Sequence, residues 1–175
     1  GWEPQSLGQQ TQLELDHFRE KTILRIEGPK GSFFLRDDTD CPIIFIAGGT
    51  GFGPIKAIIE HLILMNSSRT VYLYWGVRTE QDFYLNLPSE WSEKHANINF
   101  VPVLSEPDSS WNKKSGYVHE AVMSDFDDLT DFEVYACGPP VMVKAAAKSC
   151  IENKLKKENF FSDSFEYANV SSTDD

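Results

Sequence analysis

A chain of 175 residues with 41% apolar and 13% aromatic positions has the length of one ordinary domain and enough apolar mass for a core, which excludes a disordered chain. Its formal net charge of −11 argues against nucleic acid and against an anionic membrane surface, since both select clustered Lys and Arg. A small anionic ligand stays open, because a helix N-terminus binds phosphate without a basic surface.

Residues 1–19 are polar and rich in Gln and Gly with no period, as in a linker or tail. Residues 20–40 read as β, with Ile23, Leu24 and Ile26 before a Gly-Pro turn, Phe33, Phe34 and Leu35 after it, and Asp37, Asp38 and Asp40 closing the segment. From Cys41 onward strands and helices alternate. "PIIFIA" is a strand buried on both faces, and "GPIKAIIEHLILMN" a helix with Pro54 expected at its first position. "RTVYLYWG" is a second strand, followed by a broken helical stretch that Pro88 ends or kinks, and "NINFVPVLSE" is a third. A short helix over "GYVHEAVMSDF" leads to a fourth strand, "FEVYACG". The longest helix follows, with Lys154, Lys156 and Lys157 expected at its negative end, and "FFSDSFEYA" is a fifth strand before a disordered tail at 168–175. This alternation predicts an α/β fold, a five-stranded parallel sheet of order 3-2-1-4-5 with helices on both faces.

Four of the eleven glycines, Gly48, Gly49, Gly51 and Gly53, fall within six residues, directly after the most apolar strand. Strand, glycine turn and helix in that order let a ligand approach the backbone and let free N–H groups point at it. Diphosphate is the expected occupant, although no Gly-Lys-Ser/Thr of a P-loop follows and the spacing is not that of the usual dinucleotide fingerprint. A tight turn without a ligand is the plainer alternative. "VYACGPPVMV" repeats the grammar, with Cys137 and Gly138 ending a strand and Pro139 leading into a helix. In the expected strand order these two turns face one another where the order reverses.

"AGGTGFGP", "YWGVRTEQDFY", "ACGPP" and "FFSDSF", in this order, resemble the NAD(P)H-binding domain of the ferredoxin–NADP reductase family, with the CDP-6-deoxy-glucoseen reductases and NAD(P)H–flavin reductases as the nearest branch. "GPKGSFFLR" is similar to the end of that family's flavin-binding β-barrel, so the resemblance implies barrel end at 20–40 and nucleotide domain at 41–167. It implies an Rossmann-like NAD(P)H-dependent flavin oxidoreductase in which this chain positions nicotinamide for hydride transfer. NADH or NADPH is the cofactor, FAD sits in the parent enzyme, and a 2Fe–2S domain or another redox acceptor is the partner. The family's Arg-x-Tyr-Ser/Thr flavin motif and the four-cysteine motif of a fused iron–sulfur domain are absent from the sequence. The chain, starting at Gly1 rather than Met, is therefore expected to be the nucleotide half of something longer, weak in nucleotide binding and poor in hydride transfer alone. A nucleotide-binding sensor or interaction module without redox turnover is the other functional reading.

The resemblance assigns the diphosphate to Gly48, Gly49, Thr50 and Gly51, with Pro54 behind them. Trp75, Gly76 and Arg78 mark the adenosine end; Arg78 pairs with a ribose phosphate, stacks on adenine, or stands solvated in its loop. Tyr84 resembles the family's adenine-stacking aromatic, with a core role as the alternative. Asp82 at a ribose hydroxyl favours NADH and Arg78 favours NADPH. Cys137, with Gly138, Pro139 and Met142 around it, is implied to place nicotinamide C4, in a position able to lower a thiol pKa. Asp163 and Phe165 match the family's acid-x-aromatic ending, Asp163 steadying the nicotinamide pocket and Phe165 covering the flavin face. Cys150 and Phe160 are read as core. The histidines His17, His61, His95 and His119 and the three cysteines have no metal-ligand spacing. Free thiols and the lack of a membrane-length apolar run or secretory signal predict a cytoplasmic protein. Asp125, Asp127, Asp128 and Asp131 read as a solvated loop, or as a docking surface for a basic partner.

Overall fold

The structure, a computed structural model, describes residues 33–164. The chain divides into two compact units, 1–32 and 33–175, and all described residues belong to the second. Phe165, the expected strand around Ile23 to Ile26 and both tails lie outside the described residues.

The chain builds β1 (Ile43–Gly48), a 3-10 turn (Gly49–Gly51), α1 (Phe52–Leu64) and β2 (Val71–Val77). A second 3-10 turn (Glu80–Asp82), α2 (Leu87–Lys94), β3 (Ile98–Leu104), β4 (Lys114–Ser115) and α3 (Val118–Asp125) follow. The chain then forms β5 (Glu133–Gly138), α4 (Pro140–Glu152), a 3-10 turn (Lys157–Asn159) and β6 (Phe160–Ser164). All strand pairs are parallel, in the order β4-β3-β2-β1-β5-β6. The five long strands have the order expected from sequence. The additional strand β4 pairs only at Val103 and Leu104, and two residues are too few to carry a period.

Every residue of β1 and β5 is buried, because helices cover both faces of the sheet. On one face Phe45, Ala47, Trp75, Tyr135 and Cys137 pack with Phe52, Ile55 and Ile59 of α1. On the other, Ile44, Ile46, Tyr74 and Ala136 pack with Val118 and Val122 of α3 and Val143 and Ala146 of α4. Phe33 and Leu35, expected in a strand, form no strand and instead lie partly buried against the first core, where the Arg36 amide donates to the Tyr135 hydroxyl at 2.9 Å.

Helix ends differ from expectation in three places. Pro54 is the third residue of α1, since the 3-10 turn runs into the helix without a break. Pro88 opens α2 instead of ending a helix, its missing N–H falling in the first turn. Lys154, Lys156 and Lys157 lie beyond α4, which stops at Glu152. There Lys154 takes a positive φ of 69°, its amide donates to the Ile151 carbonyl at 3.1 Å, and the Leu155 amide donates to Cys150 at 3.0 Å. This pair of bonds closes the helix. Asn66, at φ 50°, closes α1 in the same way, with Ser67 donating to Leu62. The acidic run is not merely solvated: Asp125 accepts from Tyr74 at 2.7 Å and Asp128 from Lys154 at 2.8 Å.

Candidate functional site

β1 and β5 are neighbours, so the glycine turn and the Cys137–Gly138 turn meet at the carboxyl ends of the strands. A Cβ on Gly51 would run into the Cys137 carbonyl oxygen and lie 2.5 Å from its carbon and 2.8 Å from the Gly138 nitrogen. A Cβ on Gly138 would sit 3.1 Å from the Gly48 backbone, and Gly138 takes a φ of 151°. One on Gly48 would strike the Met142 sulfur and come within 3.0 Å of Pro139. Three of the glycines are therefore dictated by the contact between the turns. Gly49 is different: it stands exposed at φ 52° with open space where a Cβ would go.

Gly49 and Thr50 form the open lip of the site. Behind them Trp75, fully buried, donates its indole N–H to the Gly49 carbonyl at 2.9 Å and stacks on Phe52 with centroids 4.2 Å apart. Trp75 thus holds the turn from behind. α1 and α4 both begin at this rim, with no side-chain cap and no acidic residue in the first turn. Two positive dipole ends beside an exposed glycine turn suit an anion lying along the backbone.

Toward β3 the rim is charged. Arg78 donates through Nε and a terminal nitrogen to both carboxylate oxygens of Glu106, at 3.1 and 3.0 Å. Asp82 caps its own 3-10 turn, accepting from the Thr79 amide and hydroxyl at 2.9 Å each, and these bonds hold its pKa below the usual carboxylate range. Gly76 faces Val118 of α3, whose Cβ would lie 2.9 Å from an added Cβ. Glu106, 28 residues from Arg78 and with no local pattern to mark it, is a site residue that sequence reasoning missed. Tyr117, exposed just before α3, stacks on His119 with planes 18° apart.

Toward β6, Cys137 is in register with Asp163. Burial, with the Asp163 charge adding to it, pushes the Cys137 thiol up to about 12 and outweighs the helix end that is able to lower it. With its proton held so tightly, the buried thiol is neutral at ordinary pH. Tyr84, half-exposed, stands edge-on to Trp75 on the same face of the sheet as Cys137. A groove of about 600 Å³ along β3, between Ser89, Phe100 and Lys113, holds none of these residues.

Residues 45–148 match the oxidoreductase NAD-binding domain family. The chain is 49% identical over 143 residues to the CDP-6-deoxy-L-threo-D-glycero-4-hexulose-3-dehydrase reductase of Yersinia pestis, a match covering 82% of this chain and 43% of that protein. It is 38% identical over 144 residues to an NAD(P)H-flavin reductase of Aliivibrio fischeri, covering 81% of this chain and 61% of the relative. Among solved structures, the Amycolatopsis cytochrome P450 reductase GcoB superposes with a TM-score of 0.73 at 32% identity, over 79% of this chain and 42% of that one. The chain spans about half the length of the curated relatives it matches.

Proposed function

Because this chain belongs to the oxidoreductase NAD-binding domain family, we propose that it is the nucleotide-binding part of a larger flavin-dependent reductase and that its nucleotide is NADH. The observation that supports the reading is the contact of the two turns, Gly51 against the Cys137 backbone, which brings the exposed Gly49–Thr50 lip and the Cys137 thiol to one strand-order reversal. Relatives named as a dehydrase reductase and an NAD(P)H-flavin reductase support the redox assignment. A reduced nicotinamide supplies hydride from C4, and a flavin from a separate domain is the acceptor. The residues of this chain position. Backbone N–H groups at Gly49 to Gly51 hold the diphosphate, and Cys137 beside Asp163 packs against the nicotinamide. The electrons go on to an iron–sulfur or flavin acceptor. The free thiols Cys41, Cys137 and Cys150 support a cytoplasmic setting, and no helix among the described residues is long and apolar enough to cross a membrane.

The preference for NADH rests on charge. Arg78, the cation that would favour a 2′-phosphate, is held by Glu106 and lies within reach of Asp82, leaving two carboxylates against one guanidinium. A 2′-phosphate adds close to two negative charges at that corner. With about 1 kcal/mol per contact charge in water, NADH should bind roughly five- to thirtyfold more tightly than NADPH, and Glu106→Gln should narrow the gap. The test is a titration of the chain with each nucleotide, followed by NMR. The Trp75 indole N–H, bonded to Gly49, and the amides of residues 48–51 and 137–138 should shift with NADH first. No shift at these positions at millimolar NADH, from this chain and from one extended upstream, would overturn the reading.

A further inference from the structure

The carboxyl rim of the sheet has two sides. Cys137 belongs to the core under α1, together with Trp75 and Phe52. Val118, which meets Gly76, belongs to the core under α3 and α4. A dinucleotide whose diphosphate lies on the glycine turn extends one half toward Arg78, Glu106 and Gly76, and the other toward Cys137 and Asp163.

Tyr84 stands on the Cys137 side. Its ring meets Trp75 at 5.1 Å with planes 80° apart and Phe52 at 6.3 Å and 61°. The capped 3-10 turn Glu80–Asp82 and the extended Phe83 lead the chain from Arg78 to this place. Phe83 takes the other edge of Trp75 at 5.0 Å, so Trp75 is enclosed by three rings, and of these Tyr84 alone is exposed, at 50%. Among the described residues the Tyr84 hydroxyl has no hydrogen-bond partner. Burial raises its pKa and the nearby Cys137 adds to the rise, so the two groups are within electrostatic reach.

We propose that Tyr84 positions the nicotinamide half of the nucleotide, its exposed ring standing on the Cys137 side of the rim, and that it is not the adenine platform expected from the sequence. The assignment rests on the nucleotide reading above. The ring is braced against Trp75, which in turn holds the diphosphate turn, so one aromatic cluster sets both the anchor of the dinucleotide and the lateral position of its reactive ring. A half-exposed aromatic edge is suited to this, offering apolar area with two side-chain torsions to order. Its free hydroxyl is available to the ribose or the carboxamide.

The experiment compares NADH with ADP-ribose, which has the adenosine and diphosphate but no nicotinamide, on the wild-type chain, Tyr84→Ala and Tyr84→Phe. Tyr84→Ala should weaken NADH about fivefold and leave ADP-ribose within about twofold. Tyr84→Phe should keep most of the affinity, and ring protons of Tyr84 should show NOEs to the nicotinamide. Equal loss of both ligands in Tyr84→Ala, or loss of neither, would overturn the assignment while leaving the nucleotide reading standing. A wild-type chain that binds neither ligand would overturn the nucleotide reading, and this assignment with it. Thermal melts of both variants show whether the fold is kept, which half-exposure of the side chain favours.

Discussion

At the amino ends of the strands the Arg69 and Glu133 side chains are only 5% and 4% exposed and joined at 2.8 Å; at the carboxyl ends stand Gly48, Gly49 and Gly51. Arg69 also donates to the carbonyls of Cys41 at 2.7 Å and Arg36 at 2.9 Å. Glu133 accepts from the hydroxyls of Thr39 and Tyr135, and Tyr135 accepts from the Arg36 amide. Every group there is matched by another in the protein. The segment before β1 is tied down from both sides. The opposite rim has no side-chain cap on α1 or α4 and an exposed turn with room above it. One end of the sheet buries a polar network closed on the protein, and the other carries an exposed glycine turn at the start of two helices.

Breaking the closed end should have the largest effect. Arg69→Met leaves Glu133 buried without its partner and should destabilise the fold by about 3–5 kcal/mol. Denaturant unfolding measures that loss, and the protein still folded should bind NADH with unchanged affinity. Gly51→Ala tests the open end. Its methyl meets backbone, not a movable side chain, so a strand end must shift, at about 1–3 kcal/mol. Here NADH binding should disappear along with the turn contact. If Arg69→Met abolishes binding, or Gly51→Ala retains it, the two ends are not separate in function.

The open end was largely legible in the sequence and the closed end was not. Glycines, prolines and apolar strands within short stretches mark the two turns, because local backbone demands are written in adjacent residues. Strand order followed from alternation and the handedness of parallel connections. The Arg69–Glu133 pair spans 64 positions and Arg78–Glu106 spans 28, and pairing at such distance leaves no local trace. Gly51 and Gly138 read as ligand glycines, yet their immediate reason is the backbone of the facing turn, Cys137 and Gly138 for Gly51 and Gly48 for Gly138. Trp75 read as an adenosine contact because it ends a strand; its full burial behind the turn depends on the face it occupies, and that was set by Phe52 across the core. At Cys137 burial outweighs the helix end, a balance that adjacent residues do not reveal.

Alkaline pH probes both ends through one strand, because Cys137 and Tyr135 lie two residues apart on β5. Each is raised to about 12, chiefly by burial, from ordinary values of 9.0 and 10.0. The folded chain holds these protons more tightly than the unfolded one. Their contribution is therefore complete below pH 9 and is lost as pH rises from 9 to 12, at up to about 1.4 kcal/mol per unit for each group. Stability should start to fall near pH 9. NADH affinity should be flat up to that point, since the thiol beside the nicotinamide is still neutral.

The smallest effect sharpens the comparison most. Trp75→Phe keeps an aromatic ring against Phe52 but removes the N–H that holds the Gly49 carbonyl, one hydrogen bond worth about 0.5–1.5 kcal/mol. Because that bond acts on the turn and not on either half of the ligand, Trp75→Phe should weaken NADH and ADP-ribose by the same few-fold factor. Isothermal titration of both ligands measures it. Tyr84→Ala should separate the two ligands where Trp75→Phe does not. A Trp75→Phe variant that loses NADH alone would mean that the indole serves the nicotinamide directly, and that the open rim is organised by its ligand contacts more than by its backbone.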